Sequence, residues 1–318
     1  MSALRMLVVG AGHMGRLHAA KTAQLEAAGK AVVLAGVADV DFERAHGVAS
    51  EHGVPAAKDF RELLDSCDAA VVAVPTVEHF AVVEGLLAAG RDVLVEKPIA
   101  ATLEQAESLL AQAQAGGQVL QVGHLEWFNA ALRAIAPTIH RPRFVEAHRM
   151  GPFPGRATDV DIVRDLMIHD IDIIQRLVGE EPESLEAIGV PVISGEVDIA
   201  NARLRFPGGC IANFTASRVS PSPMRKIRFF QAEGYFSIDF LERSAVIFRR
   251  LQSDDGQPRI DVQPIQFDRD DALVAQLEDF LGSVRSRKLD ADSAASGLRA
   301  LRTALRVVEA MPALDELQ

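Results

Sequence analysis

The first half of the chain alternates short apolar runs with amphipathic stretches, and the first run ends in Gly10-Ala11-Gly12-His13-Met14-Gly15. Leu4–Val9, Val32–Ala38, Ala69–Val74, Asp92–Val95 and Gln118–Val122 read as strands. Each is apolar almost throughout, as a strand covered on both faces must be. Between them, Met14–Ala28, Phe42–Glu51, Phe60–Leu64, Val77–Ala89 and Thr102–Ala115 read as helices, several of them stopped by a glycine (Gly29, Gly53, Gly90, Gly116). Parallel strands joined by helices close only with right-handed crossovers, so this half predicts a doubly wound α/β sheet.

After Gly123 the pattern changes. A helix near Phe128–Ile139, a strand near Phe144–Met150, a Gly/Pro-rich loop over Gly151–Gly155 and a helix over Val163–Val178 lead into a run of strands from Ser184 to about Phe267. Pro207-Gly208-Gly209, Glu233-Gly234 and Asp254-Asp255-Gly256 punctuate that run as turns, which predicts an open, mostly antiparallel sheet. Helices near Asp271–Ser286 and Ala291–Ala310 close the chain. The expected organisation is a Rossmann domain over 1–123 and an α+β domain over 124–318, with the helices of 271–310 able to pack back on the first.

The glycine hexapeptide sits where a strand hands over to a helix. Gly10 permits the tight turn, Gly12 lets backbone approach a pyrophosphate, and Gly15 lets helix and strand pack closely. His13 and Met14 occupy the variable positions and cover the phosphates with their backbone. Asp39, at the end of the second strand, would accept hydrogen bonds from both adenosine ribose hydroxyls and repel a 2′-phosphate. With Asp41 close by and no arginine directly after Asp39, the cofactor expected is NAD rather than NADP. His18 falls on the following helix as a packing or surface residue without a chemical role.

Composition matters through one imbalance. Of the 33 basic residues only six are lysine, against 44 acidic residues and a net charge of -11. An acidic chain is a poor phosphate-backbone binder, so nucleic acid is not an expected partner. Lys97, in Glu96-Lys97-Pro98 at a strand's carboxyl edge, is one of the six; an ammonium can give up a proton where a guanidinium cannot. A solvated loop lysine is the alternative. On a helix, Asp165 and His169 are four apart and share a face, with Asp172 near the same side. An imidazole held by a carboxylate can take a hydroxyl proton as hydride leaves the same carbon. Acidic residues capping a helix start are the alternative there. Cys67 and Cys210 match no metal or redox spacing and read as free thiols, and no metal site is expected. The N-terminus lacks the features of a signal peptide, and no apolar run nears the roughly 18 residues of a membrane span, so a cytoplasmic protein is expected.

Gly10–Gly15, Asp39, Pro75-Thr76 with His79, Glu96-Lys97-Pro98 and Asp165-x-x-x-His169-x-x-Asp172 together resemble the glucose–fructose oxidoreductase / inositol dehydrogenase / MocA family of NAD(P)-dependent oxidoreductases, over essentially the whole chain. The resemblance implies that Lys97 hydrogen-bonds the reacting hydroxyl, that His169 is the general base with Asp165 its partner, and that Pro75, Thr76, His79 and Glu96 lie in segments lining the cofactor. It implies assembly as a homodimer or homotetramer through the open sheet face. Two positions depart from the family: Met167 where a glycine is frequent, and Trp127-Phe128 where many members carry Arg-Phe. Trp127 is a candidate to flank a sugar ring, or an ordinary core aromatic.

The Asp165–Asp172 segment, with Ser217-Arg218-Val219-Ser220 and Met224-Arg225-Lys226-Ile227-Arg228, is similar to members that oxidise the 3-hydroxyl of UDP-N-acetylglucosamine-type sugars. Arg218, Arg225, Lys226 and Arg228 form a local basic cluster suited to a diphosphate, with Arg218 and Arg225 the substrate contacts expected. The rival reading puts these residues on the solvent face of a strand. Two other functions stay open: a free-sugar or inositol dehydrogenase on the same fold, and a non-catalytic NAD-binding regulator.

Overall fold

A computed structural model describes residues 2–153, 161–232, 234–252, 258–267, 271–287 and 291–312. Residues 154–155 of the Gly/Pro-rich loop, Glu233, and the Asp254-Asp255-Gly256 turn lie outside the described residues.

The chain divides into two compact units, Met1–Leu125 with Asp271–Leu298, and Glu126–Asp270 with Arg299–Gln318. The division after the last parallel strand therefore falls at Leu125 rather than Gly123, and the first closing helix belongs to the first unit.

In the first unit the chain runs β1 (Leu4–Val9), α1 (His13–Ala27), β2 (Val32–Ala38), α2 (Phe42–His52), β3 (Ala56–Ala57), β4 (Ala69–Val72), α3 (Thr76–Ala88), β5 (Asp92–Glu96), α4 (Leu103–Gly116) and β6 (Leu120–Gly123). The strands pair in parallel in the order β3-β2-β1-β4-β5-β6, a doubly wound Rossmann sheet. Two details differ from the sequence reading. Phe60–Ser66 is a 3₁₀ helix, its start fixed by a reciprocal cap between Asp59 and Glu62, and the two-residue β3 was not foreseen. So short a strand carries too little periodicity to register. Met6, Val8, Leu34 and Val37 bury one sheet face beneath helical side chains, among them Phe280 and Leu277 from the first closing helix. The strand order reverses between β1 and β4, so ligands of such a sheet bind at the carboxyl ends of these strands.

The second unit holds α5 (Ala130–Ile135), β7 (Phe144–Met150), a π-helical turn (Val163–Met167), α6 (Ile168–Val178), and β8 (Ser184–Val190), β9 (Ile199–Arg205), β10 (Ile211–Ser217), β11 (Met224–Gln231), β12 (Gly234–Asp239), β13 (Ser244–Gln252) and β14 (Pro258–Gln266). Their order is β14-β13-β12-β11-β7-β10-β9-β8. All pairs are antiparallel except β7 with β10. Alternation assigns the faces: Val145, Ala147, Phe214, Ile227 and Phe229 point into a core shared with Ile168, Ile171 and Ile174 of α6. The opposite face carries a row of rings, Phe144, Phe230, Tyr235 and Phe248, with centroids 5.5, 5.1 and 4.0 Å apart in turn. The chain ends in α7 (Ala272–Ser286) and α8 (Ala291–Glu309). Among the described residues no helix is long and apolar enough to cross a membrane.

Candidate active site

In the first unit, three glycines shape the turn from β1 to α1, each for a different reason. Gly10 has φ +95°, and a Cβ there would stand 2.5 Å from the Ala73 carbonyl oxygen. A Cβ on Gly15 would lie 1.7 Å from the Gly10 carbonyl oxygen, so turn and helix can touch only with glycine present. A Cβ on Gly12 would meet no protein atom within 4 Å. The space over Gly12 is open, and no side chain caps α1. Backbone N–H groups of the first helical turn therefore have no side chain in front of them, which suits an anion. His13 is exposed and Met14 half-buried beside it.

Asp39 is fixed by backbone at both oxygens. Oδ2 accepts from the Ala11 N–H at 2.7 Å and Oδ1 from the Asp41 N–H at 2.9 Å. Arg44, which the sequence reading passed over, lies with Nη1 3.9 Å from Asp39 Oδ2 and donates to Asp41 at 3.2 Å. One helical turn of α2 brings it back over the end of β2. Pro75 and Thr76 open α3 beside β4, Pro75 exposed and Thr76 half-buried.

Glu96 and Lys97 leave the end of β5, and the Lys97–Pro98 peptide is cis. Lys97 is half-buried. His18, given no role from sequence, is wholly buried, and its Nε2 donates to Glu96 Oε1 at 2.8 Å. His79, expected in a segment lining the cofactor, is held by backbone. It is buried, with Nδ1 2.8 Å from the Pro98 carbonyl oxygen and Nε2 3.0 Å from that of Val74. Burial pulls its pKa below the ordinary value, against the pull of both carbonyls. The neutral ring carries one N–H, so His79 donates to one of these two carbonyls and packs against the other.

The second unit carries Asp165 and His169. Asp165 lies inside the π-turn and His169 in the first turn of α6. A π-turn winds more residues per turn than an α-helix, so the regular four-residue spacing expected of this pair is interrupted between them. Asp161 holds the turn's start, accepting from the Val163 and Arg164 N–H groups at 3.0 and 2.9 Å. Asp172 is buried and accepts from Arg176 Nε at 3.0 Å. Trp127 is half-buried against the core with the Arg176 guanidinium 4.9 Å from its ring centroid. One ring face is therefore covered by protein.

The expected diphosphate cluster does not form. Arg218 is 2% exposed and pairs with buried Asp198 at 3.1 Å. Lys226 pairs with Asp239 and Arg228 with Glu146, both at 3.0 Å, and Arg225 reaches Glu126 at 3.4 Å. Each cation has a carboxylate partner, Arg225 sharing Glu126 with Arg149, and strand alternation sends Arg225 to one face and Lys226 and Arg228 to the other. Arg225 stays half exposed; Arg218 is a core residue and not a substrate contact. A buried ion pair that sequence reasoning missed ties β7 to α6. Arg149, 2% exposed, donates to Asp170 at 2.7 Å and to Glu126 at 2.6 Å. An arginine in an alternating strand gives no signal of being buried until its partners are known.

Two family models match the chain: residues 4–124 fit the oxidoreductase family with an NAD-binding Rossmann fold, and residues 136–237 fit the GFO/IDH/MocA C-terminal domain. The chain belongs to the GFO/IDH/MocA oxidoreductase family. It is 36% identical, over 98% of both chains, to the UDP-N-acetylglucosamine 3-dehydrogenase of Acidithiobacillus ferrooxidans. A solved structure of that enzyme superposes with a TM-score of 0.91 over 98% of each chain. The myo-inositol 2-dehydrogenase of Thermotoga maritima is 25% identical over 94% of this chain and 93% of its own. A scyllo-inositol dehydrogenase of Lactobacillus casei, solved with NAD(H) and scyllo-inositol, shares the fold at a TM-score of 0.81 and 20% identity over 98% of this chain and 97% of that one.

This GFO/IDH/MocA chain is thus an oxidoreductase with an NAD-binding domain acting on a CH–OH group. The residues present fit the cofactor: the open cradle over Gly12 takes backbone-bound phosphate, and the pinned Asp39 carboxylate presents acceptors where a ribose diol would lie.

Proposed function

We propose that this chain oxidises the 3-hydroxyl of a UDP-N-acetylglucosamine-type nucleotide sugar to the 3-keto sugar with NAD. The observation that carries this reading is the 36% identity, end to end, with an enzyme of that activity. Bound NAD supplies the hydride acceptor. Lys97 donates a hydrogen bond to the reacting hydroxyl, holding its oxygen as the C–H bond breaks. His169 takes the hydroxyl proton, and Asp165 stabilises the imidazolium that results. Gly10, Gly12, His13, Met14 and Gly15 hold the pyrophosphate through backbone, Asp39 the ribose, and Pro75, Thr76 and Glu96 stand in segments that line the cofactor. Asp39 selects NAD over NADP by charge repulsion. Arg225, half exposed, is the remaining basic contact for a diphosphate, and Trp127 offers its uncovered face to the sugar.

A second reading, a cyclitol or free-sugar dehydrogenase, is favoured by one observation: the four cations expected to bind a diphosphate are each paired with a carboxylate. Measuring NADH formation on UDP-N-acetylglucosamine, free hexoses and inositols separates the two. Turnover of an inositol or free glucose with none of the UDP-sugar overturns the nucleotide-sugar reading. A non-catalytic regulator is tested by Lys97→Ala, which leaves NAD binding intact and removes orders of magnitude in rate only if the protein is an enzyme.

The ring row on the open sheet face, extended by exposed Ile260 and Val262, supports assembly into a homodimer or homotetramer. Analytical ultracentrifugation showing a monomer overturns that assembly.

A further inference from the structure

Two buried histidines grip the segment that carries Lys97, one from each of two helices. His79 of α3 reaches the backbone just after Lys97, at the Pro98 carbonyl. His18 of α1 reaches the side chain just before it, at Glu96. His18 has no exposed surface, its Nδ1 has no hydrogen-bond partner among the described residues, and Thr22 Oγ1 donates to its carbonyl at 2.8 Å. A buried imidazole with one partner has a single polar task, and that partner is the Glu96 carboxylate. The other carboxylate oxygen is confined as well. A Cβ on Gly123 of β6 would come 3.0 Å from Glu96 Oε2 and 3.1 Å from Glu96 Cα, so the absence of a side chain at 123 leaves Glu96 its place.

We infer that His18 is a positioning residue for Lys97: through Glu96, wedged between α1 and Gly123, it fixes the direction in which β5 delivers the lysine to the carboxyl edge of the sheet. Successive side chains of an extended segment leave on opposite sides, so a fixed Glu96 defines where the next side chain departs. The same helix α1 opens at the glycine turn. His18 thereby links the element that faces the cofactor's phosphates to the segment that holds the reacting hydroxyl. The inference rests on the reading of Lys97 as the residue that holds the hydroxyl.

The test uses the full chain and three substitutions. His18→Leu removes the donor and keeps the bulk. His18→Gln places an amide N–H near the position of Nε2. Gly123→Ala disturbs Glu96 from the opposite side without touching His18. In the free protein, competitive acetylation with acetic anhydride, read by mass spectrometry, reports the surroundings of Lys97 whatever the sugar turns out to be. The labelling rate of Lys97 should change several-fold in His18→Leu and Gly123→Ala and return toward wild type in His18→Gln. On UDP-N-acetylglucosamine, kcat should fall about tenfold or more in the first two, a displacement of 1 Å being worth on the order of 10²-fold, while the NAD dissociation constant stays within about twofold. Unchanged labelling in both His18→Leu and Gly123→Ala overturns the inference. So does loss of NAD binding in step with kcat, which would make His18 a prop for α1 alone. Lys97→Ala with wild-type turnover would sink the catalytic reading of Lys97 itself, a result separate from the labelling outcome.

Discussion

Replacing Arg149 with methionine should be among the most damaging single changes in the second unit. The guanidinium is 2% exposed and lies between Asp170, whose side chain is 4% exposed, and Glu126 at 16%. Methionine keeps most of the bulk and removes the charge, leaving one carboxylate fully buried and a second with only half-exposed Arg225 at 3.4 Å. Removing one partner of a buried pair costs roughly 3–5 kcal/mol because the other charge is stranded. At about 2–4 °C per kcal/mol for a unit of this size, the melting point should fall by roughly 6–20 °C. Burial raises the Asp170 carboxyl even with the guanidinium 2.7 Å away, and without the guanidinium it rises further. A folded-state pKa above the unfolded value gives stability that is present in acid and lost as pH rises. The deficit of Arg149→Met should therefore be larger at neutral pH than in mild acid. Adding Asp170→Leu should recover part of the loss, since an apolar pair of similar volume often serves as well as a buried ion pair. Urea melts of the three proteins across pH are the assay. A single variant within about 1 kcal/mol of wild type, or a deficit that grows toward acid, refutes the reasoning.

The glycines should separate fold from binding: Gly15→Ala, whose Cβ would overlap the Gly10 carbonyl oxygen at 1.7 Å, should destabilise the first unit, whereas Gly12→Ala, with no protein atom in reach, should melt like wild type and bind NAD at least about tenfold more weakly by calorimetry. Asp39→Ser should weaken NAD and strengthen NADP binding, because Arg44 already stands 3.9 Å from the carboxylate's place; an unchanged preference in calorimetry would remove Asp39 from the specificity argument. Burial pushes the Cys210 thiol up to about 11, so iodoacetamide should leave it unmodified in the folded protein near neutral pH and label it only in urea.

What the sequence made legible was backbone. Continuous apolar runs, terminal glycines and the strand–turn–helix setting of Gly10–Gly15 are local signals, and each locates an element without knowledge of its neighbours. The parallel order and the positions of Asp39, Glu96 and Lys97 at strand ends followed from them. What the sequence left unread has one physical source. Arg218 was expected as a substrate contact, and the partners of His79 and His18 carried no local signal, because all three are set by groups far away: Asp198 20 residues before, Pro98 19 after, Glu96 78 after. A polar residue's tendency to stay at the surface holds only while it lacks a buried counterpart, and the counterpart comes from tertiary structure.

The pair Asp198–Arg218 shows how far this reaches into stability. Burial opposes the Asp198 charge, yet Ser194 Oγ donates to it at 2.6 Å and the Ile193, Ser194 and Val192 N–H groups at 2.6, 2.8 and 2.8 Å. These donors hold the carboxyl well below the usual carboxylate range. A depressed folded-state pKa gives stability that is fully present above the unfolded value, near 3.9, and lost as pH falls toward the folded one. Asp198→Asn keeps the shape but turns an amide N–H toward donors and removes the carboxylate charge beside buried Arg218, at a cost of roughly 3–5 kcal/mol at neutral pH. The difference between wild type and Asp198→Asn should shrink as pH drops below about 4, because protonation does to the wild type part of what the substitution does to the variant. Denaturant melts of the two proteins at neutral and acid pH measure it, and a difference that stays constant across that range would show that Asp198 carries no charge-dependent share of the fold.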